Sequence, residues 1–596
     1  MGKRILALGT DGDNYGSQPE MASSSFNSSY LLDTHCSSFF CVLFALSIFA
    51  VASGANAQAK NAAAKTPHPS SSAKQGLDFS VGTRGLDSLS FNGQSLFRSA
   101  QSGELQPWKS VFRAVLDALL SNPSPSVQVA KKPVSSIDLA YPWGHLACAY
   151  AKKGETLTMR IEVSNTGAQE LDELSLRLME LDFPSAPNGG TLEAGMFGFG
   201  FKGTMHPLYQ YPSVADPQFV VPIVRVDFGT GALNFCSDDL KCSLSVSYST
   251  NPPDKTSYPF IISCRGIRPG ETKTFNISLR FGPAGSHVQD LAHDVLNRYA
   301  GRYPFQIKWT DRRPIGAIFL ASSGIKVATN PRRWILNSGK IDITADEGRV
   351  DFRTALLELA DNSIKLLKDA NAQGMITWDP EGQEFLESCY YGDPCLTSTL
   401  APEMEFRNSG ERSVIDEYFE KFRAAGLRTG ICIRPQQISM IDGKPVQQAA
   451  DDEHATQILK EKIAYAKRRW GCTLFYVDST ATVDGPINPD VFRTVAEGYP
   501  DILLIPENES MRYFAYSAPF NSYVHHYVTS TPAGVRAVYP KAFSVLMASD
   551  GDRPEDHSAL VNAVRNGDIL LFNCWYNNAG AKKIKKLYEE AFGADH

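Results

Sequence analysis

Three carboxylates stand where their surroundings could make them reactive. Asp478 ends the run Thr473-Leu-Phe-Tyr-Val-Asp478 and is followed by the hydroxyls of Ser479 and Thr480. Glu507 ends Asp501-Ile-Leu-Leu-Ile-Pro-Glu507, and Asp550 ends Phe543-Ser-Val-Leu-Met-Ala-Ser-Asp550. A short apolar run without polar alternation describes a strand covered on both faces, as in a parallel sheet. In barrel enzymes the carboxyl ends of such strands carry the chemistry. Two carboxyl groups on neighbouring strands can divide the work of cleaving a glycosidic bond. One stays ionised, to attack or to activate water, and the other stays protonated, to give its proton to the leaving oxygen. Burial and mutual repulsion let one fold hold both forms near neutral pH.

The same position on other apolar runs holds Asp379, which precedes Pro380 and Glu381, and also Arg434 and Trp575. Singly, each is an ordinary strand end, helix cap or solvated charge. Together they recur at one end of successive runs, which points to a shared mouth. We therefore assign Asp478 as nucleophile and Glu507 as proton donor, with Asp550 at a further strand end of the same mouth. Glu509 shares a face with Glu507 if the strand continues and is its rival. Arg434 either holds a carboxylate for the reaction or forms a structural ion pair. Trp378, Trp575, Tyr390 and Tyr391 offer faces on which a sugar stacks, although core packing is the commoner fate of such residues. Asp379, Glu381 and His526 complete the expected substrate contacts. The adjacent pair His525-His526 is a poor metal signature. Asp550-Gly-Asp552 with Asp556 misses the spacing of an EF-hand. No Cys-x-x-Cys or His-x-x-x-His occurs, so neither a metal nor a cofactor is expected.

The elements that would position these residues begin near residue 300. There helical periodicity alternates with short apolar strands, the pattern of βα units. The strands read as 315–320, 374–379, 429–434, 473–478, 501–507, 523–528, 543–550 and 568–575. Helices are expected over 352–369, from about 415 to Gly426, over 455–470, and to Phe592. Ser413 with Asp416 suggests a capping box for the second of these. Such a count within 300–596 fits a (β/α)8 TIM barrel. A doubly wound sheet is the alternative, weakened by the lack of a Gly-rich phosphate loop after any strand. The long connection 380–410 is expected to wall the pocket, with Cys389 and Cys395 able to bridge its middle.

From 78 to 290 the signals are those of half-buried strands. Leu157-Thr-Met-Arg-Ile-Glu-Val163 alternates with period two, and the runs 174–181, 244–248 and 274–281 repeat the pattern. Asn92-Gly93 between alternating runs is a hairpin signal. The expected architecture is multidomain: an N-terminal all-β sandwich over 78–290, then an α/β barrel over 300–596.

A chain of 596 residues is too long for one ordinary core. Its net charge of −6, with no long basic block, argues against nucleic-acid binding. The apolar stretch 39–51 is too short for a membrane span and precedes the small-x-small pattern at Ala55, Ala57 and Ala59. We read 1–59 as a signal or export segment, with Met21 as a possible true start and an uncleaved anchor as the competing reading. Residues 60–77 read as a disordered linker. The protein is thus expected to be secreted or periplasmic, with no stable membrane span after cleavage. Of its 11 cysteines, Cys236, Cys242 and Cys264 are close enough in sequence to suggest one bridge. Cys432, Cys472 and Cys574 lie on or beside apolar runs and read as buried thiols.

Asp at the end of strand four, Glu at the end of strand five and Asp at the end of strand seven resemble the alpha-amylase superfamily and related retaining alpha-glycosidase barrels. The endo-alpha-N-acetylgalactosaminidase families share the Asp-then-Glu order at a separation similar to the 29 residues here. The opening hairpin is similar to the first strands of the supersandwich domains that precede barrels in several glycosidase families. The resemblance implies a nucleophile at Asp478, an acid/base at Glu507, a stabiliser of the distorted sugar at Asp550, and a carbohydrate substrate. The chain departs from the amylase pattern at Tyr476, where those families carry Arg, and at Ser549, where they carry His. Alternatives are a barrel enzyme of other chemistry, such as a polysaccharide lyase or metal-dependent hydrolase, and a non-catalytic carbohydrate-binding or surface protein.

Overall fold

The computed structural model describes residues 76–112, 126–127, 135–183, 191–194, 197–200, 214–246, 258–321, 327–337, 340–382, 401–407, 412–442, 444–448, 450–482, 485–521, 530–548, 556–574 and 580–593. The export segment, nearly all of the linker, the loop 383–400 with Cys389 and Cys395, and the run 523–528 lie outside the described residues. So do His526, Asp550 and Trp575.

The N-terminal half is antiparallel sheet, as its period-two runs require. The strand Thr156–Asn165 buries Leu157, Met159, Ile161 and Val163 and turns Thr158, Arg160 and Glu162 away. It lies between Gly144–Lys153 and Thr272–Gly282 in a nine-stranded sheet. Leu171–Leu181 and Tyr258–Ile267 pair in a second sheet of five strands. The expected hairpin turns at Asn92 and Gly93, with φ of 51° and 78°, the left-handed pair of a type I′ turn. Phe91, the residue before that turn, stacks on Phe281 of the nine-stranded sheet at 5.1 Å.

The cysteine bridge expected here does not form. Cys236, Cys242 and Cys264 are buried free thiols. Cys236 sits in the nine-stranded sheet and Cys264 in the five-stranded one, where its Sγ faces the Leu174 carbonyl. Cys242 lies against the Ser237 hydroxyl instead. Cys432, Cys472 and Cys574 are buried thiols, as their apolar surroundings indicate.

A helix, Val288–Arg302, leads from the antiparallel half into the parallel one. There follow β1 (Ile315–Phe319), β2 (Gly374–Trp378), β3 (Gly430–Ile433), β4 (Leu474–Val477), β5 (Leu503–Pro506), β6 (Phe520–Asn521), β7 (Val545–Met547) and β8 (Ile569–Asn573). They form one parallel sheet in the order β5-β4-β3-β2-β1-β8-β7-β6. Every neighbour is consecutive or joins the last strand to the first, so there is no switch point and the doubly wound alternative falls. Ala518, just before β6, donates its N–H to the Leu504 carbonyl of β5 at 2.9 Å, so the sheet is nearly closed. The visible part of the sixth strand precedes the stretch expected to form it.

Alternation along these strands sorts the side chains. Ile315, Ala317, Ile376, Trp378, Cys432, Leu474, Tyr476, Leu503 and Ile505 form one inner cluster. Ile318, Met375, Ile431, Ile433, Phe475, Val477 and Leu504 belong to the outer one, which includes the helices α1 (Asp346–Asp369), α2 (Val414–Ala424), α3 (Asp452–Trp470) and α4 (Pro489–Gly498). Helix α2 begins after Ser413 as expected, but no capping box forms. Asp416 instead accepts from Arg469 Nε at 2.6 Å and Trp470 Nε1 at 3.0 Å, tying α2 to the end of α3. Gly426, at φ 78°, ends the helix as its conformational freedom allows.

Candidate active site

Register decides which carboxylates meet. Val477 of β4 pairs with Ile433 of β3 and with Pro506 of β5. The next residues, Arg434, Asp478 and Glu507, are therefore level. The ladder continues one step further, with Asp478 N–H on the Ile433 carbonyl and Glu507 N–H on the Val477 carbonyl, each at 2.9 Å. By alternation all three follow the inward-facing Cys432, Tyr476 and Ile505, two residues earlier on each strand. The row stands at the carboxyl end of the inner cluster.

Arg434 grips Asp478 from one side. Its Nε and Nη2 lie 2.7 and 2.6 Å from Asp478 Oδ2, and both side chains are buried. Burial opposes the guanidinium charge, but the Asp478 carboxylate outweighs it and holds the Arg434 pKa above its usual value. Both bonds fall on Oδ2, and Oδ1 receives neither.

Glu507 is the opposite case. Burial, and then the negative charge of Asp478, push its pKa up to about 8. Its Oε2 accepts the Ser479 N–H at 2.8 Å, which works in the other direction but does not prevail. Through that contact its carboxyl reaches the residue that directly follows Asp478. Glu507 is therefore held toward its neutral form beside the Arg434–Asp478 pair.

The backbone under this row is held in unusual shape. Ser479 adopts φ of 52°, a left-handed conformation costing a non-glycine residue roughly 1–2 kcal/mol. That residue supplies the N–H received by Glu507, and its carbonyl accepts Gln436 Nε2 at 2.8 Å. The buried Lys462 of α3 donates Nζ to the carbonyls of Arg434 and Gln436 at 3.1 and 2.9 Å. Thr480 accepts Asn508 Nδ2 at 2.7 Å, joining the turn after β4 to the turn after β5. Neither Gln436 nor Lys462 is marked by sequence alone. The only signal is that a lysine on the apolar face of an amphipathic helix must find acceptors inside.

Asp379 and Glu381 are buried on the turn after β2, where Asp379 has φ of 55°. The Cys432 thiol lies within the fields of Asp478, Arg434, Asp379 and Glu381, so these charges share one neighbourhood. Burial, then the Asp478 charge, hold that thiol well above its usual pKa, so it is inert. Trp378 belongs to the packing beneath the acids. It stacks on Phe319 at 4.7 Å and tilts against Tyr476 at 5.1 Å, forming an aromatic layer in the inner cluster. Glu509, two residues beyond Glu507, is buried. The positions of Asp550, His526 and Trp575 lie outside the described residues. Among the described residues no three His, Cys, Asp or Glu side chains converge in a metal-holding group.

No protein-family profile and no curated protein sequence matches the chain. Solved structures do. The alpha-N-acetylgalactosaminidase NagBb from Bifidobacterium bifidum, in complex with GalNAc, is 8% identical at a TM-score of 0.50, over 87% of this chain and 93% of that one. The galactosidase domain of the alpha-galactosidase–sucrose kinase AgaSK is 12% identical at 0.38, over 87% and 74%. A cycloalternan-degrading enzyme from Trueperella pyogenes is 10% identical at 0.38, over 81% and 70%. Of these three, the first is near enough to show a shared fold, and it does so across most of both chains. Among the described residues no helix is long and apolar enough to cross a membrane.

Proposed function

We propose that the chain is a glycoside hydrolase of retaining mechanism, acting on an alpha-linked saccharide. The observation that carries this is the unequal pair: Asp478 paired with Arg434, and Glu507 raised to about 8 beside it. Asp478 Oδ1 attacks the anomeric carbon while Glu507 protonates the departing oxygen. Glu507, then ionised, takes a proton from a water whose oxygen bonds to the anomeric carbon as the bond to Asp478 breaks, which frees the sugar and restores both acids. Asp478 and Glu507 stand level at the ends of adjacent strands, which favours the roughly 5–5.5 Å separation of a retaining pair over the roughly 6.5–9.5 Å of an inverting one. The fold shared with an alpha-N-acetylgalactosaminidase supports the alpha linkage and puts aryl alpha-N-acetylgalactosaminide first among substrates to try.

The same reading takes the eight strands as a complete (β/α)8 barrel and the antiparallel sheets as a sandwich over 78–290. It keeps Asp550 as the acid that steadies the distorted sugar and His526, Trp575, Asp379 and Glu381 as sugar contacts. It also takes 1–59 as an export signal, so that the mature protein is secreted or periplasmic. Buried thiols are compatible with that destination, since they are shielded from oxidation.

The test is hydrolysis of an activated aryl glycoside by the wild type and by Asp478→Asn. Loss of at least roughly 10³-fold in kcat with binding intact is expected, and proton NMR of the first product should show the anomer of the substrate. Wild-type turnover that survives the substitution would remove the reading.

A further inference from the structure

A cleft lies between the antiparallel half and the barrel. Asn488 and Asp490 follow the turn after β4, and Arg512 follows the turn after β5. The opposite wall comes from the nine-stranded sheet and the connecting helix, with Gln218, Lys241, Lys273, Arg302 and Tyr303. The cleft encloses about 810 Å3, the size of a ligand site, and lies at a junction of two sheet systems, where such sites concentrate.

Lys241 and Lys273 are matched just outside the lining, by Asp239 at 3.8 Å and Glu271 at 3.9 Å. The cations that bear on the cleft are Arg302 and Arg512, beside the carboxylates Asp216 and Asp490. Asp490 is already shared between Arg512 at 2.7 Å and Arg493 at 2.9 Å. Asp216 is turned to the Gln218 N–H at 2.8 Å. The exposed Arg302 gives Nη1 to the Leu240 carbonyl at 3.0 Å and, among the described residues, faces no carboxylate. Arg512 is only 2% exposed, spans the Tyr303 ring at 3.9 Å, and keeps a buried Nε with no acceptor among the described residues. An exposed guanidinium without a carboxylate of its own, as on Arg302, is where the oxygen of an anionic ligand would be drawn.

We propose that this cleft is a second saccharide site that takes an anionic group, a carboxylate or sulfate carried by the substrate chain, on Arg302 and Arg512. The saccharide character of the ligand rests on the glycosidase reading; the anion preference rests on the arginines alone.

The experiment titrates the full-length protein by calorimetry with a sulfated chondroitin hexasaccharide, an unsulfated chondroitin hexasaccharide that keeps its carboxylates, and neutral maltohexaose. It then repeats the titrations with Arg302→Gln and with Lys241→Gln. Wild type should bind the two acidic chains and not the neutral one, with the sulfated chain tighter if sulfate is the group read. Arg302→Gln should weaken acidic binding by roughly tenfold, the loss of one charge-assisted contact. Lys241→Gln, further from an unmatched donor, should cost less. Hydrolysis of a small aryl glycoside should be unchanged in both variants, because neither residue touches the acid row. Absence of acidic binding, equal binding of maltohexaose, or indifference to Arg302→Gln would each overturn the site. None of these depends on turnover, so an inactive wild type would count against the glycosidase and not against the cleft.

Discussion

Arg434 sets the difference between the two acids. It neutralises Asp478 at contact, while at longer range it only partly offsets what Asp478 does to Glu507. Arg434→Met would leave a buried carboxylate without its cation, so kcat should fall roughly 10²-fold or more. Arg434→Lys should recover part of that loss, because lysine restores the charge without the two-pronged fork. Equal activity of the methionine variant and the wild type would make the pair merely structural. Glu507 yields two further outcomes. Its protonated form is the working one, so kcat/KM should decline as pH rises through about 8. The linkage runs the same way. A carboxyl whose pKa is about 8 folded and near 4.5 unfolded holds a proton that unfolding releases, so stability falls as pH climbs between those values. Glu507→Gln removes that loss, and its stability advantage should grow from pH 5 to pH 8 by roughly 1–3 kcal/mol in urea melts. An advantage that does not change with pH would contradict the shift.

At the scale of elements, the site depends on how tightly β3 and β4 lie together. A Cβ on Gly430 would come within 2.4 Å of the Leu474 carbonyl oxygen, which is backbone and cannot swing aside. Gly430→Ala should therefore part the strands that carry Arg434 and Asp478. We expect a stability loss of roughly 1–3 kcal/mol and, in the fraction that remains folded, a further fall in kcat that Gly498→Ala, where only the end of Lys460 is near, does not share. Wild-type kcat in folded Gly430→Ala would show that the row tolerates spreading. The strands themselves were legible, because doubly covered runs such as Leu474–Val477 and Leu503–Pro506 leave no other reading, and their acids followed from where the runs stop. What the sequence hid is contact chemistry. Ser413 and Asp416 have the spacing of a capping box, yet the Arg469 guanidinium from α3 competes for Asp416 and wins. Cys236, Cys242 and Cys264 are neighbours in the chain but are drawn to separate partners by the sheets that hold them. Trp378 showed only that it is aromatic at a strand end; its place beneath the acids comes from Phe319 and Tyr476, on strands far off in sequence.

Across the whole molecule, the two halves that the sequence separates by texture share their packing. One buried cluster runs from Leu77 through Phe281 and Tyr299 to Phe475 and Tyr588. The halves are also fastened by polar contacts. Arg512 gives its backbone N–H to the Phe219 carbonyl at 3.0 Å and Nη1 to the Gln218 carbonyl at 2.9 Å. An interface continuous with both cores cannot open without exposing each, so the halves should lose structure together. Calorimetry of the full-length protein is expected to give one transition, with calorimetric and van't Hoff enthalpies in agreement. Arg512→Met, which cuts ties on both sides of the junction, should lower that transition without splitting it. Two separated transitions in the wild type, the earlier one leaving Glu507 chemistry intact, would mean that the antiparallel half is an appendage. In that case the barrel would hold its acid row level unaided, and the cleft beside Arg302 would be a gap between independent bodies instead of a built site.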